Sequence, residues 1–171
     1  HNDLKAVDEY APEGTAREGH RPAAGDLTMR ATQIYPTTLG SYAISVLGDD
    51  GTLRIESAGA PGTTPLTAGG KLTLNAANVE QNGTLLAPFG TIDINATQTL
   101  SLGAGSLTSV SGKGALIPFG RIENGAWIYQ DVDRSVHTTI LERRIDLNAA
   151  NIEQDASATL DLQGGGDLYA Y

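Results

Sequence analysis

The chain contains no cysteine. Disulfide stapling and thiolate metal centres are thereby excluded, and nothing would hinder export of the chain in an unfolded state. Large aromatic and sulfur side chains are almost as scarce, with two Phe, one Trp and one Met in 171 residues. A globule centred on big rings is not expected, and a fold of many small, similar layers is. Positive charge is short too, 11 Lys and Arg against 20 Asp and Glu, for a formal net charge of -9. Such a surface repels phosphate backbones and anionic lipid, so neither nucleic acid nor direct membrane insertion is expected. No apolar run approaches the roughly 18 residues that a membrane helix requires. With three His and no Ser/His/Asp grouping, the sequence offers no catalytic residues, metal site or cofactor site. The start at His1, without an initiator Met or signal-like segment, reads as a piece of a longer protein.

Repetition is what the chain has in abundance. LNAANVEQN at 74–82 returns as LNAANIEQD at 147–155. LTMRATQI (27–34), LTLNAANV (72–79), IDINATQT (92–99) and IDLNAANI (145–152) align without gaps. LRIESAGA (53–60) is a weaker copy, and GDLYAY (166–171) resembles the start of another. Apolar and polar residues alternate in each copy, which marks a strand with one face buried. Leu72, Leu74 and Ala76 are assigned inward, as are Ile92, Ile94 and Ala96, and Ile145, Leu147 and Ala149. Thr73, Asp93 and Asp146 are assigned to solvent. Copies beginning at 53, 72 and 92 set a period of about 20 residues, too short for a βαβ unit. The expectation is all-β: a right-handed parallel β-helix, or β-solenoid, of coils of about that length with hairpin or loop excursions.

A second marker divides the chain. APFG (87–90) leads directly into a strand copy, whereas IPFG (117–120) reaches RIDLN only after residues 121–143. Removing that stretch restores the join, so 121–143 is expected to leave the coil. Phe89 and Phe119 are assigned to stacking inside the two corners. A second excursion is expected at about 34–50, where Asp49-Asp50-Gly51 fits a turn better than a calcium loop. Residues 1–24, without periodicity, are expected to form an irregular arm, and 25–171 the β-helix.

Two groups of residues are candidates for more than core packing. Asn75, Asn95 and Asn148 fall at matched positions, where stacked strands would join them in an amide ladder. The segment 121–143 holds a hairpin signal at Asn124-Gly125, then Trp127, Tyr129, Asp131, Asp133 and Arg134. An exposed Trp and Tyr beside carboxylates would suit a glycan or protein partner. The competing expectation is that Trp127 folds back over the flank. Asp93 and Asp146 would stack as paired acids if the fold were a polysaccharide lyase or hydrolase. Asn82-Gly83-Thr84 and Asn95-Ala96-Thr97 match the glycosylation sequon, a weak signal.

GKLTLNA (70–76), GTLLAPFGTIDI (83–94) and LSLGAGS (100–106) together resemble the shaft of filamentous haemagglutinin-like exoproteins, large bacterial adhesins of two-partner secretion. The resemblance covers roughly 25–171. It implies a right-handed β-helical shaft, a secreted or outer-membrane-associated surface location, and roles in adhesion, biofilm or virulence. The chain is expected to be an internal shaft segment that mediates or displays adhesion. Its expected partners are a host or bacterial surface glycan or protein, and flanking β-helix coils of the same polypeptide. The alternatives are a carbohydrate-active β-helix enzyme and a filament module that self-associates end to end.

Overall fold

A computed structural model describes residues 18–170. The described chain is all-β, without helix, and it runs through a set of parallel sheets in the same order on each pass. The first pass gives β1 (Glu18–Ala24) and β2 (Leu27–Ala31), and the second gives β3 (Ser41–Leu47) and β4 (Thr52–Ser57). The third gives β5 (Lys71–Asn82) and β6 (Thr84–Leu86), and the fourth β7 (Thr91–Leu102), β8 (Leu107–Ser109) and β9 (Leu116–Pro118). A hairpin follows, of β10 (Arg121–Glu123), β11 (Ala126–Gln130) and β12 (Val136–His137). The last pass gives β13 (Arg144–Asn148), β14 (Asn151–Gln154), β15 (Thr159–Asp161) and β16 (Asp167–Tyr169).

The first face stacks β1, β3, the first half of β5, the first half of β7, and β13, all parallel. The second stacks β2, β4, the later halves of β5 and β7, and β14. β5 serves both faces because its pairing with β7 slips between Ala76 and Asn78, a bulge that turns the strand. β6, β8 and β15 form a third face, and β9 with β16 a fourth.

Alternation explains the core. Tyr42, Leu72, Ile92 and Ile145 lie in one column, and Ile44, Leu74, Ile94 and Leu147 in the next. Leu53, Val79 and Leu100 make a column of the second face and are fully buried. Each such side chain contributes roughly 1.5–3 kcal/mol by leaving water, so the repeated columns are the main source of stability. Gln81 interrupts one column, between Ile55 and Leu102. It is completely buried, and its amide is spent on Gly83 N–H, the Gly83 and Leu107 carbonyls and the Thr108 hydroxyl.

Several expectations require correction. LTMRATQI and LRIESAGA are not equivalent to LTLNAANV, because Leu27 stacks on Leu53 and Leu53 on Val79, in the second face. Residues 41–47 are not an excursion: β3 is a member of the first face, with Tyr42, Ile44 and Val46 directed into the core. The stretch that leaves is 58–67, which carries Pro61 and Pro65 and supplies no strand to the third face. Ile34 therefore reaches past it, accepting from Leu86 N–H and donating to Thr84 O, both at 2.9 Å. Passes are consequently unequal in length, and a fixed period of about 20 residues does not hold. Within the expected arm, Glu18–Ala24 is a strand of the first face, while residues 1–17 lie outside the described residues. Asp167–Tyr169 closes the last pass against Leu116–Pro118 and does not begin a new copy. Asp93 is buried, not solvent-facing.

Candidate functional site

The flank from Arg121 to Arg143 rises from the end of β9 and returns at Arg144, whose N–H bonds to Gly90 O at 3.2 Å. Asn124 and Gly125 take φ of 49° and 79°, the paired positive values of a type I′ turn, and join β10 to β11 antiparallel. Trp127 and Tyr129 share one face of β11 by the period of two.

That face is turned inward. Phe119 lies 6.0 Å from Trp127 and 5.0 Å from Tyr129 between ring centres, and the last two are 5.4 Å apart. The Trp127 indole N–H donates to Phe119 O at 3.0 Å. Tyr129 is buried, in a second core with Ala68, Phe89, Ile117 and Leu141, and the Arg143 guanidinium sits 4.3 Å above the Phe89 ring. The aromatic pair thus covers the corner of the sheets and does not form an exposed contact surface. The two Pro-Phe-Gly corners also differ. In the first, Gly90 N–H bonds to Ala87 O and Phe89 takes a φ of 55°. In the second it is Gly120 that turns left-handed, at 80°, sending the chain into the hairpin.

The three charged candidates separate. Asp131 accepts from Val132 N–H at 2.6 Å, and its other oxygen stands 3.6 Å from His137 Nε2. Asp133 accepts from Ser135 N–H at 2.8 Å, and that bond, aided by the Ser135 hydroxyl, holds its carboxyl below the ordinary range. Arg134 takes a φ of 69°, and among the described residues its guanidinium has no ion-pair partner. Only Tyr129 and Asp131 of the five line a common cleft, of about 320 Å³, with Ser41, Phe89, Thr91 and Glu142.

Sequence reading missed what this segment does expose. Ile122, Val132, Val136 and Ile140 are 60%, 42%, 55% and 85% accessible. Parity could not flag them: Ile122 lies directly opposite Trp127 in the hairpin, and so on the same face, yet it remains exposed.

On the first face, charges meet in pairs. Lys71 Nζ approaches Asp93 at 2.8 Å, Arg144 approaches the same carboxylate at 3.6 Å, and Arg144 also pairs with Asp146. Asp93 and Asp146 do stack in register, yet both are engaged by these bases. On the same face Asn75 donates to Ser45 Oγ, Asn95 to Asn75 Oδ1 and Asn148 to Asn95 Oδ1, each at 3.0 Å. Asp49 and Asp50 give backbone carbonyls, to the amides of Gln98 and Asn78 respectively. Among the described residues no three His, Cys, Asp or Glu gather as around a metal ion. Compared with known proteins, the chain matches no family model, no curated sequence and no solved structure.

Proposed function

We propose that the chain is a closed, right-handed parallel β-helix serving as a structural and adhesive segment of a secreted bacterial surface exoprotein. The observation that carries this reading is the amide ladder Ser45–Asn75–Asn95–Asn148. A ladder of that kind locks successive passes in register and leaves few amide groups free to bind a ligand, which suits a shaft. Right-handed winding follows from the rule that governs crossovers between parallel strands. The resemblance of GTLLAPFGTIDI and LSLGAGS to exoprotein shafts supports the same reading. Adhesive contact then falls to the flank, through Ile122, Val132, Val136 and Ile140 with Asp133 and Arg134, while Trp127 and Tyr129 support it from beneath.

The carbohydrate-active enzyme reading has one observation in its favour, the meeting of Lys71, Asp93 and Arg144. These groups neutralise one another, and Asp93 has 12% side-chain exposure, so little of its carboxylate is available as a base. The two readings part in a single experiment. Beads coated with the chain are tested for attachment to bacterial and host cells, and the same preparation for cleavage of acidic and neutral polysaccharides. Attachment that drops on Ile140→Asp and Val136→Asp, without cleavage, supports the shaft. Depolymerisation abolished by Asp93→Asn would favour the enzyme. An experimental chain trace with left-handed crossovers would overturn the fold.

A further inference from the structure

Every strand of the last pass is bonded on one side only among the described residues: β13 and β14 to β7, β15 to β8, β16 to β9. Residues of a parallel ladder alternate in the neighbour they bond. Arg144 N–H is used on Gly90, so Ile145 and Leu147 turn N–H and C=O to the open side. Their side chains are half-buried, and Ile152 beyond them is 49% exposed. An open edge of this kind accepts strands.

Two features specify which strand. The amide ladder has a direction: each Asn donates to the pass before it, and Asn148 Oδ1 receives no hydrogen bond among the described residues. It is an acceptor waiting for an amide in the same register. The charges have a rule as well. Asp93 is met by the base that begins the strand on either side, Lys71 before it and Arg144 after it. Asp146 stacks on Asp93, but the residue in the position of Lys71 is here Thr91. Among the described residues its only base is Arg144 of its own strand, and none stands in the position one pass further on.

We infer that the β13 edge is a strand-accepting site for a parallel strand of the pattern base–apolar–any–apolar–Asn. The occupant is a further rung of the type this chain carries as KLTLN (71–75) and RIDLN (144–148). Its base would pair with Asp146, its apolar residues would cover Ile145 and Leu147, and its Asn would donate to Asn148 Oδ1. A second copy offering its own β13 edge does not fit. Two such edges brought together run antiparallel or with their faces reversed, which breaks both the amide and the charge registers. The inference rests on the open parallel edge, the amide ladder and the charge register, so it stands or falls independently of the adhesive reading.

The test appends a copy of residues 71–82 to the full chain through a flexible Gly/Ser linker, which holds it at an effective concentration near millimolar. A control fusion carries Lys71→Glu and Asn75→Leu in the appended copy only. The matched fusion is expected to slow amide exchange at Ile145 and Leu147 by roughly tenfold or more relative to the control, and to raise the unfolding midpoint. Asp146→Lys in the parent chain should then favour a fusion beginning with Glu over one beginning with Lys. Equal protection by matched and control fusions, or none by either, overturns the proposal. So does protection of the unfused chain that rises with its own concentration, which would make a second copy the occupant.

Discussion

Asn148 donates its side-chain amide to Asn95 Oδ1 at 3.0 Å, across a stretch of chain that includes the entire flanking hairpin. Asn95 passes the same bond on to Asn75, and Asn75 to Ser45. Within this ladder Asn95 alone both gives and receives between two amides, and it is less exposed than Asn148. A hydrogen bond of this kind contributes about 0.5–1.5 kcal/mol net, and more is lost when a partner is left unpaired. Asn95→Ala is expected to cost about 1–3 kcal/mol, and Asn148→Ala, with one bond at an exposed edge, about 0.5–1 kcal/mol. Urea unfolding of the two variants gives the comparison; equal losses would mean that the ladder is not cooperative.

Gln81 stands in a column between Ile55 and Leu102, where burial alone would favour a purely apolar residue. The structure gives the opposite expectation. Gln81 holds the tight turn at Gly83 through both its N–H and its C=O. Gln81→Leu strands those groups in the interior and should destabilise by about 2–4 kcal/mol. A neutral or stabilising result in thermal unfolding would show that burial alone decides this position.

The columns were legible in the sequence because alternation names the inward residues whichever face a strand occupies: Leu72, Ile92 and Ile145 were assigned from pattern and do stack. The amide ladder was legible for the same reason. Which face a strand joins was not, since Leu27-Thr28-Met29 and Leu72-Thr73-Leu74 share one pattern while their partners differ; pairing is set by the lengths of the loops between them. Gln81 was hidden because a buried amide looks like a surface residue until its turn is known. The site suffered most. Trp127 and Tyr129 were read as one face, correctly, but parity cannot say whether that face meets water or Phe119.

That contact leads to the next expectation. Trp127 packs on Phe119 and donates to its carbonyl, so its role is to cover the corner. Trp127→Ala should lower stability by about 2–4 kcal/mol, in the range of large-to-small core changes. Trp127→Phe, which keeps most of the packing and loses the bond, should cost about 1 kcal/mol. Deleting 121–143 with Gly120 joined to Arg144 removes Tyr129 and Leu141 from the second core as well. The β signal in circular dichroism should persist, because the parallel columns are intact, but at a midpoint well below that of Trp127→Ala. Unchanged stability in Trp127→Ala would restore the contact-surface reading.

Acid should loosen the molecule through a small set of exposed carboxylates. Asp26 accepts from Thr52 N–H at 2.9 Å and lies 3.2 Å from Arg54. The backbone bond first, and then the guanidinium, hold its carboxyl below the ordinary range. Ser157 does the same for Asp155 through its hydroxyl and its N–H. A carboxyl depressed in the folded state stabilises fully above its unfolded value, near 4, and that contribution is lost as pH falls through the lower folded value. The unfolding midpoint of the native chain should therefore be flat from about pH 7 to pH 5 in this respect and fall below about pH 4. Asp26→Asn keeps an acceptor for Thr52 but no charge for Arg54. It should be less stable than the native chain at neutral pH, with the gap closing as pH approaches about 2. Midpoints of both proteins measured along that range decide the matter: a gap that stays constant would mean that Asp26 acts through shape alone and not through its charge.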